Sequence, residues 1–190
     1  MHKLADAGTN WRYNPPAAPH FGGIWEAAVK SVKHHLRRVI GETKLTYEEV
    51  STLLSQVEAC LNSRPLLPLS DDPTDFQVLT PAHFLIQTCS YIVPEADLRD
   101  ENIPIGKRWK LLQQMLHHFW YRWSSEYLQI LQPRGKWRER AANIQPGQLV
   151  LLQADKTQPA RWPLARVMEI HSGDDGLKVR VHLTVNNYRQ

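Results

Sequence analysis

Cysteine is scarce. Cys60 and Cys89 are the only two among 190 residues, which excludes a disulfide scaffold and a zinc site built from two cysteine pairs. Long apolar runs are missing as well. Nothing approaches the roughly eighteen residues that a membrane-crossing helix needs, and residues 1–8 lack the apolar core of a signal peptide. No nucleophile elbow, phosphate-binding loop or dinucleotide fingerprint is present, nor is any internal repeat or low-complexity tract. These absences lead us to expect an intracellular, reduced protein with no membrane partner.

The composition that remains is globular, with 42% hydrophobic and 22% charged residues. That length gives room for one ordinary domain, or a medium domain with a small second one. Seven Trp make the chain rich in large aromatics, and thirteen Pro mark many element boundaries. The net charge of +4 is modest but unevenly placed. Residues 1–43 carry a balance of +3, 44–106 of −7, 107–140 of +6 and 141–190 of +2. Two basic zones flanking an acidic one suit a chain that lays separate surfaces on a polyanion; equally, the zones can face each other.

Apolar periodicity divides the chain into elements. Three prolines and two glycines between Asn14 and Gly23 forbid regular structure. Trp25, Val29, Val32, Leu36 and Val39 then form one helical stripe that ends at Gly41. A second helix opens at Thr46 with Glu49 three residues on, a capping box, and buries Val50, Leu53, Leu54, Val57 and Leu61. Pro65 stops it, and 66–78 reads as loop. Thr80-Pro81 starts a short helix over 79–86, and 91–104 reads as connection. The longest helical pattern runs from Lys107 to Gln132 with Trp109, Leu112, Leu116, Phe119, Trp123, Tyr127 and Ile130 on one stripe, widened by Trp120 and Leu131. The tail switches to short Val- and Leu-rich runs at 149–152, 164–170 and 177–185, expected to be strands of a small barrel or meander.

One charged constellation stands out. Glu26, Lys30, Lys33 and Arg37 fall at i, i+4, i+7 and i+11, a stripe about 100° from that of Trp25 on a helix of 3.6 residues per turn. A carboxylate with a basic track behind it suits a divalent cation beside a phosphate backbone. It suits equally a solvated face with a dipole-favoured acid and a Glu-to-Lys pair. The adjacent pairs His34-His35 and His117-His118 point about 100° apart on a helix, so neither pair can grip one metal.

The segment Trp11-Arg12-Tyr13-Asn14-Pro15-Pro16-Ala17-Ala18-Pro19-His20-Phe21-Gly22-Gly23-Ile24-Trp25-Glu26 closely resembles the end of the integrase core of BEL/Pao-type retrotransposons. Asn62-Ser63-Arg64-Pro65-Leu66 and Leu79-Thr80-Pro81-Ala82-His83-Phe84-Leu85-Ile86 resemble its continuation. Phe119-Trp120-Tyr121-Arg122-Trp123, Gly147-Gln148-Leu149-Val150 and Trp162-Pro163-Leu164-Ala165-Arg166-Val167 are similar to the domain that follows that core. The likeness runs from about Trp11 to Val185. Departures are Gln87 and Ala165, where that family usually has glycine.

The resemblance implies an α+β chain with the C-terminal helices of a truncated RNase H-like core in 1–90, a long helical connector in 91–140 and a small SH3-like β-barrel in 141–190. It implies DNA integration by a polynucleotidyl transferase that uses two Mg2+ or Mn2+ ions, held by two aspartates and a glutamate. Glu26 matches that glutamate as the catalytic and metal-binding residue. The family's aspartates precede the position of Trp11, where Asp6 is the sole candidate. The chain alone is therefore expected to be inactive, with no metal bound. Lys30, Lys33, Arg37, Lys136, Arg138, Arg161, Trp162, Arg166, Lys178 and Arg180 are the expected DNA contacts. Trp162 can serve either as a base-stacking surface or as core. Self-association and a nuclear location for a chromosomal target follow from the same likeness. A non-catalytic DNA-binding or assembly module derived from an integrase is the competing reading.

Overall fold

The computed structural model describes residues 15, 22–72, 74–88, 96–104, 106–132, 144–154, 157–172 and 179–185, with only the backbone of 24, 25, 172 and 179–181. The chain divides into two compact units, Met1–Arg38 and Val39–Gln190. Helices and small antiparallel sheets both occur, so the α+β expectation holds. Among the described residues no helix is long and apolar enough to cross a membrane.

Helix α1 spans Gly23–Ile40, with Glu26 in its first turn and Arg37 and Arg38 in its last. Both placements favour the helix dipole. Gly41 follows at φ +54°, the left-handed position that closes a helix and that glycine adopts without strain. Val29, on the apolar stripe, is exposed.

Helix α2 (Tyr47–Asn62) begins as its sequence announces. The Thr46 Oγ1 accepts from the Glu49 N–H, and the Glu49 carboxylate accepts from the Thr46 N–H at 2.8 Å. Its buried face is Leu53, Val57 and Cys60, at i, i+4 and i+7, whereas Leu54 is exposed. Cys60, skipped by a reading that counts only large aliphatics, lies on the edge of the stripe away from Leu54, so the buried face is turned toward it. Burial pushes its thiol pKa up, so it is an inert packing group.

The stretch expected to be loop contains a short antiparallel pair, β1 (Leu67–Pro68) with β2 (Val78–Leu79). Aspartate side chains shape the connection between them. Asp72 accepts from the Thr74 N–H and Asp75 from the Gln77 N–H, both at 2.8 Å. Leu79 therefore belongs to a strand, and helix α3 starts only at Pro81 and ends at Ile86.

Helix α4 (Arg108–Leu131) packs against α2. Leu112, Met115, Leu116, Phe119, Trp120 and Trp123 are buried, while Trp109, Ile130 and Leu131 are exposed. The periodicity is helical from end to end, but only the middle of the helix is covered. At its start the Arg108 guanidinium donates to both carboxylate oxygens of Glu49 and to the Lys44 carbonyl, tying α4 to the cap of α2. This fork holds the Glu49 pKa down at about 2.

Strands β3 (Leu149–Leu151), β4 (Leu164–Ser172) and β5 (Val179–Val185) form an antiparallel meander in that order. The described residues show no closed barrel. The first half of β4, Leu164 to Val167, is buried throughout, and its second half from Met168 is largely open to solvent. A bulge at Met168 separates the two halves, since Val167 pairs with Leu183 and Glu169 with His182.

Trp162, in the connection between β3 and β4, fastens the meander to the helices. Trp162 lies edge-on to Trp120, Trp123 and Tyr127, with ring centroids 4.8, 5.8 and 5.4 Å away. Its indole N–H donates to the Ser63 Oγ at 3.1 Å, just past the end of α2. The Trp120 indole in turn donates to Thr157 at 2.9 Å. These contacts cross the divisions expected at 90 and 140.

Candidate nucleic-acid interface

The charged stripe of α1 forms one exposed face. Glu26, Lys30, Lys33 and Arg37 are all exposed. Together with Val29, His34 and Arg38 they line a groove of about 570 Å³. The helical rise separates Lys30 from Arg37 by about 10 Å, or roughly three base-pair steps of duplex DNA. Arg38 lies 2.6 Å, through Nη1, from the His34 Nε2 and donates to the His34 carbonyl at 3.2 Å. A guanidinium only donates, so this contact is a hydrogen bond when the His34 Nε2 accepts.

Charge dominates this groove. Four cationic side chains face one carboxylate among the described lining residues. No ion pair joins Glu26 to Lys30 among the described residues, so the simple intrahelical pairing that the sequence allows is not formed. A surface with three accessible cations in a row attracts phosphate oxygens, and its strength is set by counterion release. The groove does not suit a pair of divalent cations. One carboxylate beside Lys30, Lys33 and Arg37 cannot neutralise two such ions, and magnesium requires several oxygen ligands in near-octahedral order. Asp6, the other acid considered from sequence, lies outside the described residues.

The remaining expected contacts scatter. Arg161 is exposed. Lys136, Arg138 and Lys178 lie outside the described residues, and Arg180 is described only through its backbone in β5, opposite His171. Two residues need correction. Trp162 is 5% exposed and enclosed by the helix α4 aromatics, so its ring has no free face on which a base can stack. Arg166 is 3% exposed. Its guanidinium donates to the carbonyls of Gly147 at 2.8 Å, Ser70 at 3.3 Å and Asp75 at 2.6 Å. It clips the β1–β2 connection to the meander and has no face for a phosphate. Gly147, at φ +84°, makes the turn that aims its carbonyl at Arg166.

Residues 107–189 match the model of DUF5641, a family of unknown function. The match begins one residue before α4 and takes in the whole meander. No curated protein and no solved structure matches the chain.

Sequence reasoning missed one constellation with metal-ligand character. Glu169, His171 and His182 converge on the open part of the β4–β5 ladder. The two β4 residues alternate as ligands on one strand face do, but their partner depends on a strand register that the sequence does not announce.

Proposed function

We propose that the chain is the C-terminal part of a BEL/Pao-type retrotransposon integrase and that it binds DNA through the exposed basic face of α1. The observation that carries this reading is the alignment of Lys30, Lys33 and Arg37 along one groove with Glu26 at its head. In this reading α1 to α3 are the closing helices of an RNase H-like core. Helix α4 is the connector, and the meander is the described portion of an SH3-like barrel. The family match over 107–189 overlaps the stretch in which the chain resembles the domain following that core. Glu26 would serve as one acid of a metal-binding triad only together with two aspartates that this chain does not supply, so the chain alone performs no strand transfer. Its DNA target is chromosomal and its site of action nuclear. Exposed Phe84, Leu85 and Ile86 on α3 and Ile130 on α4 offer apolar area for self-association.

The test is binding of fluorescent duplex DNA by anisotropy across a salt series. About four to six phosphate contacts give a log–log slope near −4 to −5. Reversing the three exposed cations, with Lys30→Glu, Lys33→Glu and Arg37→Glu together, should reduce that slope by about 3, at roughly 0.9 per phosphate. Glu26→Gln should bind at least as tightly as the parent. A salt-independent affinity, or a triple variant that binds as the parent does, would overturn the assignment of this face.

A further inference from the structure

We propose that Glu169, His171 and His182 form a binding site for a divalent transition-metal ion, of which zinc is the natural occupant. The site stands on residues remote in sequence from the α1 groove and does not depend on the DNA-binding reading.

The backbone brings the three side chains together. Glu169 and His171 are two residues apart on β4, so they share a face of the strand. His182 is the direct cross-strand partner of Glu169 on β5, and directly opposed residues of an antiparallel pair also share a face. The bulge makes this possible. In a regular strand Glu169 would point to the same side as Val167, which is 1% exposed and part of the core. The register pairs Val167 with Leu183 but Glu169 with the very next residue back, His182. Adjacent residues of β5 face opposite ways, so the extra residue at Met168 turns Glu169 out to the open side. A one-residue irregularity that places a carboxylate against two imidazoles is the kind of device by which sheets re-aim side chains at sites.

The donor geometry suits the ion. One ligand atom from each residue lies within 4.8 Å of the other two, and the His171 Nε2 is 3.6 Å from the Glu169 Oε2. Zinc–nitrogen and zinc–oxygen bonds of about 2.0–2.2 Å put neighbouring tetrahedral ligands about 3.3 Å apart. Closing from the observed spacing takes small side-chain rotations. The side chains have that freedom, since Glu169 is 68% and His171 52% exposed. Two imidazoles with one carboxylate are a borderline donor set that favours zinc, copper or nickel over magnesium or calcium. Three protein ligands leave a fourth tetrahedral position for water. A plain ion pair explains less. Glu169 with His171 already accounts for it, and the second imidazole on the same face then has no partner role, whereas a metal uses all three. With ligands on both strands, the ion would fasten β4 to β5 beyond the bulge.

The full chain, freed of metal by chelator and dialysis, is titrated with zinc chloride by calorimetry and compared with His171→Asn/His182→Asn. The parent should take up one equivalent more than the double variant. Glu169→Gln should bind that equivalent at least about tenfold more weakly. Circular dichroism of the metal-free proteins should agree, because all three side chains are exposed. Thermal unfolding adds a second readout, in which zinc raises the melting temperature of the parent and not that of the double variant. Equal uptake and equal affinity in parent and double variant would overturn the proposal, as would a parent that takes up no zinc.

Discussion

Replacing Trp162 by alanine separates its two roles, core anchor or base-stacking surface, most sharply. The side chain is 5% exposed and meets three aromatic rings edge-on, at centroid distances between 4.8 and 5.8 Å. Truncating a buried aromatic to alanine costs about 3–5 kcal/mol. Three edge-to-face partners, each worth about 0.5–1.5 kcal/mol beyond area, move this site to the top of that range. Loss of the indole bond to Ser63 makes up about 1 kcal/mol of that cost. Ser63 itself keeps a bond, donating to the Cys60 carbonyl at 2.7 Å, so no orphaned hydroxyl enlarges the loss. The expected destabilisation is about 4–5 kcal/mol. At about 2–4 °C per kcal/mol for a domain of this size, it lowers the melting temperature by about 8–20 °C. Trp162→Phe keeps most of the ring contact, loses the N–H, and should cost only about 1–2 kcal/mol. Thermal melts followed by circular dichroism give both numbers, and DNA binding measured well below the lower transition should match the parent. A Trp162→Ala protein within about 1 kcal/mol of the parent but deficient in DNA binding would refute the anchoring role and restore the stacking one.

Two further outcomes follow from buried or bridging polar groups. Arg166→Met removes the donor shared by the Gly147, Ser70 and Asp75 carbonyls. It should cost about 1.5–3 kcal/mol, and limited proteolysis should then cut between Leu69 and Gln77 faster than in the parent; unchanged cleavage and stability would show that the clip is dispensable. The Glu49 carboxyl is held down at about 2, chiefly by Arg108. Its unfolded value is higher, so its contribution to stability is present above about pH 4.5 and fades as pH falls toward 2. Glu49→Gln should therefore flatten the loss of stability across that window in urea titrations, and an unaltered acid limb would remove Glu49 from the account.

Local signals are legible in the sequence because their physics is local. The Thr46–Glu49 box, the Gly41 terminator and the Pro81 start each depend on neighbours within four residues, and each helix begins or ends near them. Burial is not local, because it depends on how far a partner element extends. Trp109 and Ile130 repeat the α4 stripe faithfully but lie beyond the part that is covered. Arg166, an expected DNA contact, is buried instead, because three carbonyls from two distant segments receive its guanidinium. Trp162 and Ser63 are 99 positions apart, and no window of sequence joins them. The bulge at Met168 reverses the facing of everything after it, which is why Glu169 gave no sign of meeting His182.

The tryptophan junction also bears on how the molecule assembles in time. Trp120 reaches Thr157 across 37 positions, and Trp162 reaches Ser63 across 99. Helices α2 and α4 can form from local contacts in microseconds, but this junction closes only when the meander arrives, after the entropy of long loop closure has been met. Three indoles and a phenol meeting at one point give the protein an internal optical gauge of that late event. Near-ultraviolet ellipticity and tryptophan emission should lag behind the helical signal during refolding, with docking of sheet onto helices as the slower phase.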